Sequence, residues 1–466
     1  MDKERDKMQE SNEFQQVLER YENMLKKSHA SFFDVEEFEY IIDYYLDQRY
    51  FKQAYEAAEY AKKQHPNSTE ITIKIVQIYL ENGKPLQALE HLNDLPTWDE
   101  EDNEILLLKG TALTQLGKIR EAEKLFDKAI KLAEDDKVEM ILNISMTYEN
   151  IRQFSYAVKY LLFAWEIEPD NLAVLYDLGY YYERLHNYQQ SIVFYNRYLD
   201  EDPFSDNVWF NLGVVHYKLH ENKKAIDAYD YAIATNSSYA SAYFNKANIY
   251  AEDGDYKNAI KVYNEFLELE PEHVQAWCYL GECYEEKGSY NKALDVYKKV
   301  IEIDNTNPEG WFGSGICLMH LKKIEEAVAY ILKAIEFDNQ NSEFWYTLAE
   351  LYEKTNSIPE AIKCLRQTTS LDNTDHEAWI KWASLHFKEK DYNKALLVLR
   401  EAYQFNFTVP RILYFMAALY FNLNESKTGL RFLEKALATD ENELDEFYLL
   451  YPEGKNNSLI RNLLNK

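Results

Sequence analysis

The chain has 466 residues, of which 51 are basic and 80 acidic, so its formal net charge is −29 at pH 7. This excess of negative charge repels phosphate backbones and anionic lipid surfaces, which argues against nucleic acid and membrane as partners. Four cysteines do not make a disulfide framework, and neither a signal peptide nor a membrane span is evident, so we expect an acidic cytoplasmic protein.

The first predicted element is a helix near the start of the chain. In residues 12–27 the apolar side chains recur at helical spacing, at Phe14, Val17, Leu18, Tyr21 and Leu25. One face of this helix is therefore apolar. We predict that residues 1–34 form an N-terminal capping region with this amphipathic helix as its main element.

From residue 35 onwards the sequence repeats with a fixed period. Tryptophans stand at 209, 277, 311, 345 and 379, and Tyr243 fills the one gap in the series. Extending this register gives twelve leading anchors, at Phe38, Thr72, Leu106, Ile141, Leu175, Trp209, Tyr243, Trp277, Trp311, Trp345, Trp379 and Leu413. Every step is 34 residues except 106 to 141, where the extra residue falls in the acidic connection 134–136. Such a period predicts a stacked array of one supersecondary unit.

Each unit combines two apolar patterns of helical spacing. The first holds Trp277, Leu280, Gly281 and Tyr284, and the second, after a polar turn, begins at Ala293. Each unit is therefore predicted to be a pair of antiparallel helices, whose small residues allow close approach. We expect the anchors to be core residues, so that replacing Trp277 by Ala would cost about 3–5 kcal/mol.

After the last unit the pattern changes. An apolar group begins a further first helix, at Leu444, Phe447, Leu450 and Tyr451, and Pro452 and Gly454 end it. A short closing helix is predicted from Leu459, Ile460, Leu463 and Leu464. We assign residues 35–443 to the twelve repeats and residues 444–466 to C-terminal capping helices, because repeat arrays need atypical ends that cover a terminal apolar face.

The series Trp277, Leu280, Gly281 and Tyr284, followed by Ala293, resembles the tetratricopeptide repeat (TPR). The resemblance implies an all-α solenoid, a right-handed superhelix of about twelve antiparallel helix pairs with terminal capping helices. Counting the anchor as the fourth place of its unit, it also implies that the second, fifth, ninth and twelfth places line a concave groove.

The fifth place is apolar in eleven of the twelve units, at Ile73, Leu107, Leu142, Tyr176, Phe210, Phe244, Cys278, Phe312, Tyr346, Ile380 and Tyr414. Two explanations stay open, because an apolar residue at this place can line a groove or be half-buried between neighbouring helices. Around it, aromatic residues at other groove places form one patch near the middle of the chain and another near its end.

We predict a partner-binding groove from these patches and from the polar residues beside them. Asn211 and Asn245 occupy equivalent places and resemble the asparagine ladder with which some TPR proteins hold a peptide backbone, since an amide both donates and accepts. Glutamates on the same face, including Glu350 and Glu353, favour basic residues in a partner. The predicted groove residues are Tyr176, Tyr180, Phe210, Asn211, Val214, Phe244, Asn245, Asn248, Glu282, Glu285, Tyr414 and Phe421.

No pattern in the chain predicts catalysis. Neither a P-loop nor a GxSxG, HExxH or GxGxxG sequence is found, so we predict no catalytic residue and no cofactor. His216 and His220, four residues apart, could share a helix face as zinc ligands do. His216, however, stands where other units carry a tyrosine, and a pair lacks the further ligands zinc requires, so we predict no metal.

The predicted function is a non-catalytic scaffold or adaptor. We expect the groove to bind an extended or helical segment of a partner protein with apolar anchors and some basic residues. The alternative is a self-associating structural assembly protein, in which Tyr-rich outer or terminal surfaces join copies into oligomers.

Overall fold

The computed structural model describes residues 15–26, 31–95, 102–406 and 408–464. Within these ranges every regular element is a helix, which confirms the predicted all-α class. The chain divides into two compact units, Met1–Ser237 and Ser238–Lys466, which are described one at a time. Residues 12–14 and 27 of the predicted lead-in helix lie outside the described ranges.

The described part of the first unit contains a lead-in helix and six helix pairs. The lead-in helix, α1, covers residues 15–26. The first helices of the pairs are α2 (Val35–Asp47), α4 (Thr69–Glu81), α6 (Asn103–Gln115), α8 (Lys137–Asn150), α10 (Leu172–Arg184) and α12 (Asp206–Lys218). The second helices are α3 (Phe51–Gln64), α5 (Pro85–Asn93), α7 (Ile119–Leu132), α9 (Phe154–Ile167), α11 (Tyr188–Glu201) and α13 (Asn222–Thr235).

The described part of the second unit contains six helix pairs and two closing helices. The first helices are α14 (Ala240–Glu252), α16 (Val274–Glu286), α18 (Pro308–His320), α20 (Ser342–Lys354), α22 (His376–Lys388) and α24 (Pro410–Asn422). The second helices are α15 (Tyr256–Leu269), α17 (Tyr290–Ile303), α19 (Ile324–Phe337), α21 (Ile358–Leu371), α23 (Tyr392–Phe405) and α25 (Ser426–Thr439). The closing helices are α26 (Leu444–Leu450) and α27 (Ser458–Leu464).

Local chemistry sets the helix ends. Many first helices begin after a polar residue whose side chain accepts a backbone N–H, as Asp102 does for Glu104 and Ile105. Inside each pair, one turn residue has a positive φ angle; these residues are Arg49, Gly83, Gly117, Arg152, His186, His220, Gly254, Gly288, Lys322, Asn356, Lys390 and Asn424. A left-handed residue ends the first helix, so the chain reverses at the same place in every pair. The extra residue of the longer unit lies in a single 3-10 turn, Glu134–Asp136, which leads into α8.

Aromatic rings of the second helices pack on glycines of the first helices. A Cβ atom added to Gly281 would lie 2.6 Å from the Tyr297 ring. The same arrangement recurs sixteen residues apart in the pairs Gly110 and Phe126, Gly179 and Tyr195, and Gly213 and Tyr229. Where the first helix carries alanine instead, as at Ala349, the second carries the smaller Leu365 at the matching position. The size of one residue is therefore matched to that of its partner.

Replacing Gly281 by Ala is expected to destabilise the protein by about 1–3 kcal/mol, because the new methyl group overlaps the buried Tyr297 ring. The higher helix propensity of alanine, about 1 kcal/mol, offsets only part of this cost. The double variant G281A/Y297L reproduces the Ala349 and Leu365 pair and should recover much of the loss. Urea unfolding followed by circular dichroism measures both, and a G281A protein more stable than the double variant would contradict this packing.

The tryptophan anchors are less deeply buried than predicted. Trp379 is 2% exposed, whereas Trp209, Trp277, Trp311 and Trp345 are only half-buried. The anchor lies in the first turn of its helix, beside the loop that joins two pairs. Each indole Nε1 donates to a backbone carbonyl oxygen six residues earlier, at 2.8–3.0 Å, and the acceptors are Pro203, Pro271, Asn305, Asn339 and Asn373. The indoles therefore hold the loops between helix pairs in place by hydrogen bonds, in addition to their apolar contacts.

Both ends of the array are covered by apolar contacts. In α1, Tyr21 and Met24 are buried against Phe33 and Phe38, while the predicted contact residue Leu25 is exposed. At the other end, Phe447 of α26 stands one period after Leu413 and is fully buried. The helix α26 thus continues the register at the position of a thirteenth first helix.

Candidate functional site

In the first unit, five predicted groove residues lie on α10 and α12 and all are partly exposed. Tyr176 and Tyr180 come from α10, and Phe210, Asn211 and Val214 come from α12. The Asn211 Nδ2 atom donates to the Tyr176 hydroxyl oxygen at 3.3 Å, which joins the two helices. This surface therefore offers apolar rings together with amide and hydroxyl groups.

Rings of the second helices α11 and α13 support this surface. The Tyr176 ring lies 6.3 Å from those of Tyr195 and Tyr198, and the Phe210 ring lies 5.6 Å from that of Tyr229. Tyr195 and Tyr229 are the residues that pack on the glycines of α10 and α12. The positions of the exposed rings are therefore set by the packing between the paired helices.

In the second unit, the predicted residues Phe244, Asn245 and Asn248 lie on α14. The half-buried Phe244 ring stacks on Tyr279 at 6.1 Å and also meets Phe266 at 5.2 Å. The Asn248 Oδ1 atom accepts a hydrogen bond from the buried Tyr263 hydroxyl at 2.6 Å. Phe244 and Asn248 therefore use part of their surface for contacts within the protein. Asn245, on the same helix, is also partly exposed.

An open cleft of about 510 Å³ lies between α14, α15 and α16. Its lining combines tyrosine rings with carboxylates: Asn248, Ala251, Glu252, Tyr256, Tyr263, Tyr279, Glu282, Cys283 and Glu286. Tyr263 comes from the second helix of its pair, yet its hydroxyl reaches the surface of the first helices. We define these nine residues as the acidic cleft.

Like charges crowd the α16 side of the acidic cleft. Glu282 is exposed to solvent there, but the surrounding helices limit its hydration, and Glu309, Glu285 and Glu286 lie nearby. The pKa of Glu282 is raised to about 7, mainly because its hydration is limited and to a smaller extent because these carboxylates repel its charge. Burial likewise raises the pKa of Glu285, whose Oε2 atom accepts from the Tyr297 hydroxyl at 3.2 Å.

The raised Glu282 pKa predicts a pH-dependent stability. Between pH 4.5 and about 7 the folded chain keeps a proton on Glu282 that the unfolded chain releases. The free energy of unfolding therefore falls as the pH rises through this range, because Glu282 must then carry its charge in the folded state. Relative to Glu282→Gln, the parent protein is therefore expected to lose thermal stability between about pH 5 and about pH 8. Melting both proteins at the two pH values tests this, and a stability difference independent of pH would contradict it.

Two predicted groove residues, Tyr414 and Phe421 of α24, are in the core instead. Tyr414 is fully buried, and its hydroxyl donates to the Asp440 carbonyl oxygen at 2.8 Å. Phe421 stacks on Tyr451 at 5.3 Å and meets Phe447 at 5.9 Å. The closing helices cover this patch, so we remove both residues from the candidate site.

The burial of the fifth-place residues answers the question that the sequence left open. Cys278 and Tyr414 are fully buried, whereas the other nine residues are half-buried. At this place the side chain packs between helices and leaves part of its surface to solvent. The fifth-place residues therefore belong partly to the core and partly to the surface. Only the nine half-buried ones are candidates for contact with a partner.

Sequence reasoning missed three tyrosines of the acidic cleft. Tyr279 stands at the sixth place of its unit, the same place as Asn211 and Asn245, and this equivalence was the available signal. Tyr256 and Tyr263 lie on α15, the second helix of the pair, where no groove residue is expected. Tyr263 stands sixteen residues after the small Ala247, at the spacing of the glycine and ring pairs, and its hydroxyl reaches Asn248 of the first helix.

His216 serves packing and a turn. Its Nδ1 atom lies 2.6 Å from Glu221 Oε2, while His220 is the left-handed residue of the turn. Among the described residues, no group of three or more His, Cys, Asp or Glu side chains is arranged to hold a metal ion. Over the same ranges, no helix has the length and apolar character to cross a membrane.

Comparison with known proteins gives matches to parts of the chain. A model described as tetratricopeptide repeat matches residues 104–136 and 172–205. A model of the cilia and flagella-associated protein 70 C-terminal domain matches residues 234–366. No curated protein matches the chain in sequence.

Several solved structures resemble parts of the chain. MamA is 25% identical and covers 37% of this chain and 94% of its own, with a TM-score of 0.36. YrrB, described as a TPR protein with an unusual peptide-binding site, is 22% identical over 42% of this chain and 97% of its own, with a TM-score of 0.36. The C-terminal part of a TPR repeat-containing protein from Cytophaga hutchinsonii is 15% identical over 51% and 97%, with a TM-score of 0.46.

Consecutive helix pairs of one period define the class of α-helical repeat solenoids, whose general role is to bind other proteins. Within this class, the model described as tetratricopeptide repeat matches residues 104–136 and 172–205, so the chain contains tetratricopeptide repeats. The helix pairs on either side of these segments have the same or nearly the same period.

Proposed function

We propose that this protein is a non-catalytic scaffold that binds an extended or helical segment of a partner protein along its first helices. One observation carries the proposal: apolar side chains stay partly exposed on the same face of successive first helices. On α10 and α12 these are Tyr176, Tyr180, Phe210 and Val214. Apolar surface that recurs in register is typical of an interaction site.

The polar groups on this face support a peptide as the bound species. Asn211 retains surface exposure beside the rings, and its amide can both donate to a main-chain carbonyl and accept from a main-chain N–H. The exposed hydrophobic area then supplies binding free energy while the amide fixes the direction of the segment. The cytoplasmic location of the protein stays a prediction.

Capture of partners from a native lysate tests this function. The intact chain is compared with Y176A/N211A, which alters the α10 and α12 surface, and with F163A/L397A, whose exposed residues lie on second helices. We expect a partner that is retained by the parent and by F163A/L397A but lost with Y176A/N211A. Equal retention by all three proteins would contradict the proposal, provided circular dichroism shows equal helix content.

Self-association is the second candidate function, because the closing helices expose three leucines. Leu449 is 79% exposed, Leu459 47% and Leu464 40%. Exposed apolar side chains on short terminal helices can join two copies of a chain. Light scattering over a range of concentrations tests this: a mass that rises in the parent but not in L449S supports it, and a monomer throughout contradicts it.

A further inference from the structure

The chain neutralises several carboxylates of its first helices with lysines from the next pair. A carboxylate at the ninth place pairs with a lysine at the sixth place of the following unit, and one at the twelfth place pairs with a lysine at the thirteenth. The ninth-place pairs are Asp43 with Lys74, at 2.7 Å, and Glu350 with Lys381, at 2.6 Å. The twelfth-place pairs are Glu183 with Lys218 and Glu353 with Lys388, both at 2.7 Å.

Glu282 and Glu285 of α16 occupy the same ninth and twelfth places, but the next helix supplies no lysine. The corresponding residues of α18 are Gly313 and His320. Gly313 cannot be enlarged in place, because a Cβ there would lie 2.4 Å from the Tyr297 ring. His320 is stacked on Tyr290, with ring centroids 4.2 Å apart.

The acidic cleft therefore carries carboxylates that the chain itself does not pair. Among the described residues, neither the Glu282 nor the Glu286 carboxylate makes a hydrogen bond or ion pair, whereas the Glu285 carboxylate accepts from Tyr297. Tyr263 and Tyr279 line the same cleft, with their ring centroids 6.2 Å apart. Carboxylates beside aromatic rings favour a cation with an aliphatic stem, since the charge meets the carboxylates and the stem meets the rings.

We infer that the acidic cleft binds a lysine or arginine side chain of the partner segment, in the role that Lys381 and Lys388 play within the chain. The inference rests on the proposed function, because it presupposes a partner segment bound along the first helices. The inference also distinguishes between the glutamates of this face. Glu350 and Glu353 already pair with lysines of the chain, so the partner's basic residue is expected at Glu282 and Glu286.

Selection of random phage-displayed peptides on the intact chain tests the inference. We expect the enriched peptides to share a basic residue and, as labelled synthetic peptides, to bind E282Q/E286Q about tenfold more weakly in fluorescence anisotropy. The matched control E350Q/E353Q removes the same charge from the same face and should keep the parent affinity. Replacing the shared basic residue of the peptide by norleucine should weaken binding to the parent but not to E282Q/E286Q.

A second variant changes the charge beside the cleft without removing a glutamate. His320→Lys places a lysine where Lys388 stands in a later unit, so by the same register it should pair with Glu285, outside the cleft, and should weaken peptide binding less than E282Q/E286Q does. Peptides without a basic residue, or peptides that bind E282Q/E286Q as tightly as the parent, would overturn the inference. If such peptides still bind Y176A/N211A more weakly than the parent, the proposed function is supported without the inference about the acidic cleft. A library that yields no binding peptide would contradict both the proposed function and the inference.

Discussion

Replacing Tyr297 by Ala is expected to lower the free energy of unfolding by about 3–5 kcal/mol, because it leaves a cavity between three helices. The Tyr297 ring is 3% exposed and fills the space above Gly281 of α16 and Gly313 of α18. Both facing residues are glycines, so neither has a side chain that could fill the gap. In a quasi-linear array, damage of this size can also separate unfolding into two transitions.

Tyr297→Phe is the matched control. It keeps the ring and removes only the hydroxyl, which donates to Glu285 Oε2, so the expected cost is about 0.5–1.5 kcal/mol. Urea unfolding followed by circular dichroism compares the two variants. Equal stability of the Ala and Phe variants would show that the ring does not fill the space we describe.

Replacing Trp379 by Ala is expected to cost about 3–5 kcal/mol, and more than replacing Trp277. Trp379 is fully buried and stacks on Trp382 with ring centroids 5.6 Å apart, while Trp277 is half-buried against a loop. The two variants share the same chemistry and differ in depth. Their unfolding free energies in urea provide the measurement, and a larger loss for Trp277→Ala would contradict the described burial.

The register of the helices could be predicted from the sequence because it depends on spacing alone. The anchors from Phe38 to Leu413 locate every first helix, and Phe447 continues the series into α26. The depth of each anchor could not be predicted, because burial depends on the neighbouring loop. Trp277 and Trp379 stand at the same place in their units, but only one is enclosed.

The sequence predicts which residues share a surface, but their role in binding stays a prediction. Tyr176, Phe210 and Asn211 lie on one partly exposed surface. Tyr414 and Phe421 were misassigned, because a pattern within one unit does not reveal that closing helices cover it. Conversely, the sequence does show that Glu350 can pair with a lysine and Glu282 cannot. The sixth place of the next unit is Lys381 for Glu350, whereas it is Gly313 for Glu282.

The claim that a partner binds to the first helices is tested most directly by hydroxyl-radical footprinting of the protein with and without the captured partner. The oxidation rates of Tyr176, Tyr180 and Tyr279 on first helices are compared with those of the exposed Tyr60 and Tyr231 on second helices. Binding as proposed protects the first set and leaves the second unchanged. Protection of Tyr60 and Tyr231 alone would place the partner on the second helices and contradict the account.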